Sequence, residues 1–260
     1  MIIKDQLDRE ISIQKIPERI ISLVPSQTEL LVDMGLSNRI VGVTKFCVHP
    51  DTIKKEKTIV GGTKQVNFET IKKLHPDLIL CNKEENIKEI VEALQDDYAV
   101  HVSDVANVED ALCMIHQYGE IFEKEKEAKV IIEEIRSAKA SFELFIKDKP
   151  KKKVAYFIWR KPWMAAGNGT FIHYLMELNG FINVFGHQDR YPEVTEAHLK
   201  SLEDIDLVLL SSEPFPFSNT HLPEVQQMIP NAKIILVDGE YFSWYGARLI
   251  AGFRYFETLH

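Results

Sequence analysis

The chain has 260 residues, 45% of them hydrophobic, and a formal net charge of −8 at pH 7. A chain of this length and composition can bury a large core and form either one large domain or two lobes. The negative charge argues against a nucleic-acid or anionic-membrane surface, because the overall field repels polyanions.

The beginning of the chain and its cysteines restrict the class of protein further. Residues 1–17 carry both acidic and basic side chains, so they lack the apolar core of an export signal, and no later stretch reaches membrane-spanning length. The sequence as it stands therefore keeps a cytoplasmic location open. The three cysteines are widely spaced and form no Cys-x-x-Cys pair, which predicts free thiols.

The region before residue 107 alternates apolar runs with amphipathic segments. Residues 19–44 have the pattern of a strand, a sharp turn, a short helix closed by Gly35 and a second strand, and residues 67–105 repeat helix and strand twice. This alternation predicts parallel strands with crossover helices. Ser26 and Glu29 have the spacing of a capping box, so we expect them to cap the first helix, with the turn facing a ligand cleft or its rim.

The second half of the chain restates the first after a long helical stretch. Residues 120–146 keep a broad apolar face without glycine or proline, which predicts one continuous helix from about Val108 to Ile146. Beyond Pro150 strands and helices alternate again, and Asp77 and Asp206 open corresponding apolar strands. We therefore predict an N-terminal α/β lobe at 1–106, a lobe-spanning helix at 107–148 and a C-terminal α/β lobe at 149–260, with a ligand cleft between the lobes.

Aromatic side chains gather where the predicted strands end, outside the periodic core positions. Core packing would explain any one of these rings, but together they favour a flat, partly conjugated ligand. Arg160 and Arg248 are expected to supply positive charge to it. The rings concerned are Phe46, Trp159, Trp163, Tyr191, Tyr241, Phe242, Trp244 and Tyr245.

Other motifs predict neither a catalytic residue nor a metal ligand. The Gly-Gly-Thr-Lys run at residues 61–64 lacks the spacing of a phosphate-binding loop, and Cys47 with His49 would supply only two ligands. In the run at residues 166–171, Asn168 or Thr170 can cap the helix that follows.

Five stretches resemble the helical-backbone (class III) periplasmic substrate-binding proteins of ABC importers, the group that captures vitamin B12 and ferric siderophores. The likeness covers nearly the whole chain and is carried by residues 19–44, 61–81, 165–185, 194–212 and 241–259. It implies two α/β lobes bridged by one long helix. The bound ligand would be a cobalt corrinoid or a ferric chelate, and the cleft wall would include Phe46, Thr63, Met164, Tyr191 and Tyr241.

The resemblance also implies a partner and a location. One carboxylate on each lobe of such a receptor pairs with arginines of the ABC permease. These positions fall on Glu69 and, one residue away from the matching Ala197, on Glu196. The resemblance implies a monomer that works in the periplasm or at the cell surface.

Two alternatives remain beside the transport receptor. A chelatase-type enzyme acting on tetrapyrroles also uses two similar lobes, but it needs a histidine beside a glutamate. Its candidates are His173, His187 and His198 with Glu193 or Glu196, and they form no recognisable constellation. The other alternative is a cytoplasmic sensor or scavenger with the same fold. We expect a binding protein rather than an enzyme.

Overall fold

Each half of the predicted repeat contains its own sheet in the computed structural model, which describes residues 1–202 and 204–260. The first unit consists of Met1–Arg136 together with Trp244–Leu249, and the second of Ser137–Ser243 together with Ile250–His260. The predicted fold class, α/β with two similar lobes and mainly parallel sheets, is confirmed. The domain limits at residues 106 and 148 and the cleft stay predictions.

Five parallel strands form the sheet of the first unit. Its central strands are buried along their whole length, as their continuous apolar runs predict. The unit as a whole contains, in chain order, β1 (Ile2–Lys4), β2 (Glu10–Ser12), β3 (Ile20–Ser22), β4 (Ile40–Thr44), β5 (Thr58–Gly61), β6 (Leu78–Asn82) and β7 (Val100–Ser103). The sheet has the order β5-β4-β3-β6-β7, while β1 and β2 form a separate antiparallel hairpin.

Amphipathic helices connect these strands and cover the sheet. They are α1 (Pro25–Asp33), α2 (Ile53–Glu56), α3 (Phe68–Leu74), α4 (Lys88–Gln95) and α5 (Val108–Phe122), with a 3₁₀ turn at Ser37–Arg39. Ile71 of α3 and Ile90 and Leu94 of α4 belong to one buried cluster with Ile21 of β3 and Ile79 of β6. Burial of this apolar face, rather than helix propensity, fixes such short helices in place.

The long helical stretch is two helices rather than one, so the predicted continuous helix from Val108 to Ile146 is wrong. α5 ends at Phe122 and α6 (Glu125–Ile146) begins after a break. Glu123 takes a left-handed conformation with a φ of 55° and caps α5. At Gly119 an added Cβ would lie 2.9 Å from the Cβ of Ala128, so the close approach of the two helices requires glycine. α6 continues across residue 136 and contributes residues to both units.

The second unit has a mixed sheet with a parallel centre. Its strands are β8 (Lys152–Trp159), β9 (Trp163–Ala165), β10 (Phe181–Asn183), β11 (Glu193–Val194), β12 (Leu207–Ser211) and β13 (Lys233–Val237). The order is β11-β9-β8-β12-β13, and β10 also pairs with β8. β8, β10, β12 and β13 pair in parallel, whereas β9 and β11 run antiparallel to their neighbours.

The helices of the second unit are equally short. They are α7 (Phe171–Leu178), α8 (Glu196–Ser201), α9 (Leu222–Met228), α10 (Gly239–Ser243) and α11 (Arg248–Glu257), with a 3₁₀ turn at Asn219–His221. Thr170 accepts a hydrogen bond from the amide of His173, which confirms the predicted cap of α7. Among residues 1–202 and 204–260, no helix combines the length and the apolar composition needed to cross a membrane.

An aspartate at the same place in each sheet confirms the internal repeat. Asp77 Oδ2 accepts from the amides of Glu18 and Arg19 at 3.0 and 3.1 Å, just before β3. Asp206 Oδ2 accepts from the amide of Lys153 at 2.6 Å, at the start of β8. Each carboxylate thus ties the entrance of one strand to the start of the central strand beside it, which fixes the strand register.

Candidate functional site

The turn after β3 directs Gln27 into a buried polar cluster of the first unit. Gln27 Nε2 donates to Ser103 Oγ at 2.7 Å and to the hydroxyl of Tyr245 at 3.2 Å. Its Oε1 accepts from the hydroxyl of Tyr118 at 2.9 Å. The carbonyl of Cys81 lies 3.3 Å from Nε2. Gln27 therefore joins the carboxyl ends of β6 and β7 to α5 and to the segment near residue 245.

This cluster is neutral at physiological pH. Burial raises the pKa of the Cys81 thiol to about 12 and the pKa of Tyr118 well above its usual value. Burial also raises the pKa of Tyr245, although hydrogen bonds with Ser103 and Gln27 act in the opposite direction. The cluster therefore offers hydroxyl groups and an inert thiol, and its role is to hold structure rather than to supply a nucleophile.

The predicted capping box is wrong, because α1 begins one residue before Ser26. Val24 occupies the N-cap and Pro25 the first helical position, where a missing amide hydrogen costs nothing. Ser26 is buried. Glu29 does not reach back to the helix start but forms a two-point ion pair with Arg248, at 2.6 and 2.8 Å.

Arg248 is thus placed between α1 and Trp244 instead of being left open for a ligand. Its guanidinium carbon lies 5.0 Å from the centroid of the Trp244 ring, in cation–π contact. The ring of His49 meets Trp244 edge-on at 5.4 Å. Trp244 is only 7% exposed. The structure therefore brings the predicted site residues Trp244 and Arg248 together, with the arginine charge balanced by Glu29.

Asp33 follows Glu29 by one helical turn and shares its surroundings. Burial and then repulsion from Glu29 raise the pKa of Asp33 to about 6, and Arg248 lowers it. Because the folded protein holds this proton more tightly than an unfolded chain does, the associated stability is present at low pH and is lost as the pH rises through 6. Asp33 also ends α1, where the helix dipole disfavours a negative charge.

Asp33→Asn should therefore raise the melting temperature at pH 7.5 by about 1–3 °C, a small gain because Asp33 is only partly buried and water still screens its charge. At pH 4 the gain should shrink towards zero. Thermal unfolding followed by circular dichroism at both pH values measures this, with Asp51→Asn, at an exposed position of the first unit, as the control. A gain that is as large at pH 4 as at pH 7.5 would contradict the assignment.

Phe46 and Thr63 line a depression of about 570 Å3 in the first unit. Phe46 is 49% exposed, a large fraction for an aromatic ring. The depression is lined by Lys45, Phe46, Gly61, Gly62, Thr63, Lys64, Gln65, Val66 and Asn67. The sequence predicted Phe46 and Thr63 but missed Lys45 and Lys64, which stand next to them.

A tight turn shapes the floor of this depression. The amide of Gly62 donates to the carbonyl of Gln65 at 2.7 Å, and Asn86 Nδ2 donates to the carbonyl of Thr63 at 2.8 Å. Gly61 has a φ of 135°, and an added Cβ would lie 2.5 Å from the Gln65 carbonyl oxygen. Only glycine fits there, so the Gly-Gly pair is explained by the turn and not by a phosphate.

In the second unit, the predicted site residues lie around the turn from β8 to β9. Trp159 is 38% exposed and meets Phe215 edge-on at 5.7 Å. Arg160 forms a two-point ion pair with Glu224 at 2.8 and 3.0 Å. Its charge, like that of Arg248, is balanced by a carboxylate.

Trp163 and Met164 belong to β9 in the same region. Trp163 is 4% exposed and stacks on Phe217 at 5.9 Å, so its ring fills the core of the second unit and offers a ligand little surface. Met164 pairs with Glu193 of β11 and is half-buried.

Tyr191 and Tyr241 are half-buried at two further places in the second unit. The guanidinium carbon of Arg190 lies 5.8 Å from the centroid of the Tyr191 ring. Tyr241 stacks on Tyr255 with the ring centroids 4.6 Å apart. That all these residues contact one ligand stays a prediction.

Glu69 and Glu196 stand in the first turns of α3 and α8, and both are exposed. The caps of these helices are other residues: Asn67 accepts from the amide of Thr70, and Thr195 accepts from the amide of His198. Capping therefore does not explain either glutamate. Each remains a surface charge at a helix start, where the dipole favours it.

The histidines named for a chelatase have separate surroundings. His173 Nδ1 lies 3.0 Å from the side-chain nitrogen of Asn183, and its Nε2 lies 3.6 Å from Glu177 Oε1, a carboxylate other than the two that the sequence named. His187 lies 3.3 Å from the side-chain nitrogen of Gln188. The ring of His198 contacts Phe185 at 6.3 Å. Within residues 1–202 and 204–260, no three His, Cys, Asp or Glu side chains are grouped to hold a metal ion.

The sequence pattern of the periplasmic binding protein family matches residues 20–231, and the chain belongs to this family. An uncharacterised ABC transporter substrate-binding lipoprotein of Bacillus subtilis is 30% identical over 141 residues, which span 52% of this chain and 44% of that protein. A vitamin B12-binding protein of Vibrio vulnificus is 26% identical over 188 residues, which span 71% of this chain and 68% of that protein.

A solved structure shares the fold over nearly its whole length. The periplasmic vitamin B12 binding protein of Vibrio cholerae superposes with a TM-score of 0.80, at 18% sequence identity, covering 94% of this chain and 96% of that one. Likeness at this level of identity supports the two-lobed fold and leaves the ligand to be argued from the site.

Proposed function

We propose that this protein is the substrate-binding component of an ABC importer and that it captures a metal chelate, either a cobalt corrinoid or a ferric siderophore. The observation that carries the proposal is the family match over residues 20–231. The exposed rings of Phe46 and Trp159 support it, because a flat chelate needs apolar surface to cover. The place of action would be the periplasm or the cell surface, and the protein would act as a monomer.

Ligand binding should quench tryptophan emission, since Trp159 is exposed at the predicted site. The panel consists of cyanocobalamin, cobinamide and several ferric siderophores, and isothermal titration calorimetry measures affinity in parallel. Trp159→Phe should remove most of the quenching, whereas Trp163→Phe, at a ring packed in the core, should retain it. Absence of both quenching and heat with every chelate would refute the proposed function.

Docking to the permease gives a second test of the same function. Glu69→Ala and Glu196→Ala should each weaken binding to the permease in detergent or nanodiscs, because interface charge is lost. Chelate affinity and melting temperature should stay nearly unchanged. Glu89→Ala is the matched control, since Glu89 is exposed in the first turn of α4. An equal loss with Glu89→Ala would show that the effect is not specific to the predicted positions.

A further inference from the structure

Two lysines line the depression of the first unit together with the exposed ring of Phe46. Lys45 Nζ lies 5.0 Å from the centroid of the Phe46 ring, and Lys64 Nζ donates to the carbonyl oxygen of Glu84 at 2.5 Å. Both lysines are exposed. In the part of the chain that the structure describes, neither forms an ion pair with a carboxylate. Each ammonium group therefore keeps hydrogen-bond donors for another acceptor.

The two arginines that were expected to bind an anionic ligand are already paired with carboxylates, which leaves Lys45 and Lys64 for that role. Arg160 and Arg248 each hold a carboxylate through two hydrogen bonds, with Glu224 and Glu29 respectively. An arginine held in this way is already neutralised and positioned, so it has little to offer an incoming anion.

Lys64 lies beside two consecutive glutamates. The backbone carbonyl of Glu84 accepts from Lys64. Burial raises the pKa of Glu85 more than the nearby charge of Lys64 lowers it. Its negative charge is therefore less favoured there than at an open surface.

The turn leaves room for a ligand edge beside the ring. A Cβ added at Gly62 would lie 3.2 Å from Phe46 Cε2 and 3.4 Å from Lys45 Cε. Because glycine carries no side chain, the ring face and the ammonium group of Lys45 can be reached together. An apolar ring of the ligand that covers Phe46 would then bring anionic oxygens of the chelate within reach of Lys45 and Lys64.

We propose that this depression selects an anionic ferric chelate, one with carboxylate or catecholate oxygens, over a neutral chelate. The inference rests on the proposed function and adds the charge of the substrate to it. Lys45 and Lys64 donate to these oxygens, while Phe46 covers the apolar part of the ligand. The overall negative charge of the protein makes such a local pair of cations necessary for anion capture.

The test compares three probes: a trianionic ferric tricatecholate, a neutral ferric trihydroxamate and cyanocobalamin. Wild-type protein should bind the tricatecholate about tenfold or more tightly than the neutral probes, and its Kd should rise steeply with added salt. The double variant Lys45→Gln, Lys64→Gln should lose about 10–100-fold for the tricatecholate and less than about threefold for the neutral probes.

The double variant Lys72→Gln, Lys73→Gln is the matched control. These lysines are exposed in the last turn of α3, and the substitution changes the net charge by the same amount. An equal loss with the control would mean that long-range charge, not the depression, sets the preference, and would overturn the inference. Tight binding of a neutral chelate without preference for the anion would also overturn it and leave the proposed function standing. If the protein bound no chelate at all, both the inference and the proposed function would be refuted.

Discussion

Replacing Gln27 with alanine should lower the free energy of unfolding by about 3 kcal/mol and the melting temperature by about 6–10 °C. Gln27 has no exposed surface, and its amide serves Ser103, Tyr245 and Tyr118 at once. The substitution removes the hydrogen bonds between the Gln27 amide and these three hydroxyl groups, among them the acceptor of Tyr118, and opens a cavity in the core. Both effects act in the same direction, because an unsatisfied polar group in the core loses its hydrogen bonds to water as well.

Chemical denaturation measures this loss, and Gln14→Ala is the control at an exposed position of the first unit. Tyr245→Phe and Tyr118→Phe should each cost less, since each removes one hydroxyl and Gln27 Nε2 still donates to Ser103 Oγ and to the Cys81 carbonyl. If Gln27→Ala were as mild as Gln14→Ala, the buried cluster would not be a stabilising element.

Arg248→Ala should destabilise the protein by about 3 kcal/mol at pH 7.5. The variant leaves the carboxylate of Glu29, a side chain only 18% exposed, beside Asp33 without its cation. At pH 4.5 the loss should be smaller, because Asp33 has a pKa of about 6 and is then protonated. At that pH only the carboxylate of Glu29, and no longer that of Asp33, is left without its cation.

Two comparisons give the Arg248 result its meaning. Arg254→Ala, at an exposed position of α11, should leave stability within about 0.5 kcal/mol of wild type. The double variant Glu29→Gln, Arg248→Met should recover part of the loss, since it removes both charges of the pair. An unchanged melting temperature for Arg248→Ala, together with weaker chelate binding, would instead support the role in ligand contact that the sequence predicted.

The sequence predicted the sheets well because their signal is local. Continuous apolar runs such as those of β6 and β12 have few interpretations other than a buried strand, and the structure has both strands buried throughout. The correspondence of Asp77 and Asp206 was also visible, since an aspartate before such a run is readily noticed. Its function of holding the neighbouring strand appears only from the hydrogen bonds.

Contacts between residues distant in the chain could not be predicted in this way. Ser26 and Glu29 fit a local capping rule, but Glu29 is paired with a residue 219 positions away. The break at Glu123 has no proline and no glycine at the left-handed position, so residues 120–146 gave no warning of it. Lys45 and Lys64 are ordinary surface residues in sequence, and only their position in the same depression as Phe46 distinguishes them.

The assignment of Trp244–Leu249 to the first unit has a consequence for cloning and for the evolution of the gene. A fragment that stops at residue 136 would lack Arg248 and Tyr245, which are hydrogen-bond partners of Glu29 and Gln27. We therefore expect such an N-terminal fragment to be less stable than the first unit in the whole chain. If the two lobes arose by duplication, the ancestral half-length protein needed another cation to balance the carboxylate of Glu29 on α1. Separating the present chain into two independent lobes would likewise require a redesign of the Glu29–Arg248 pair.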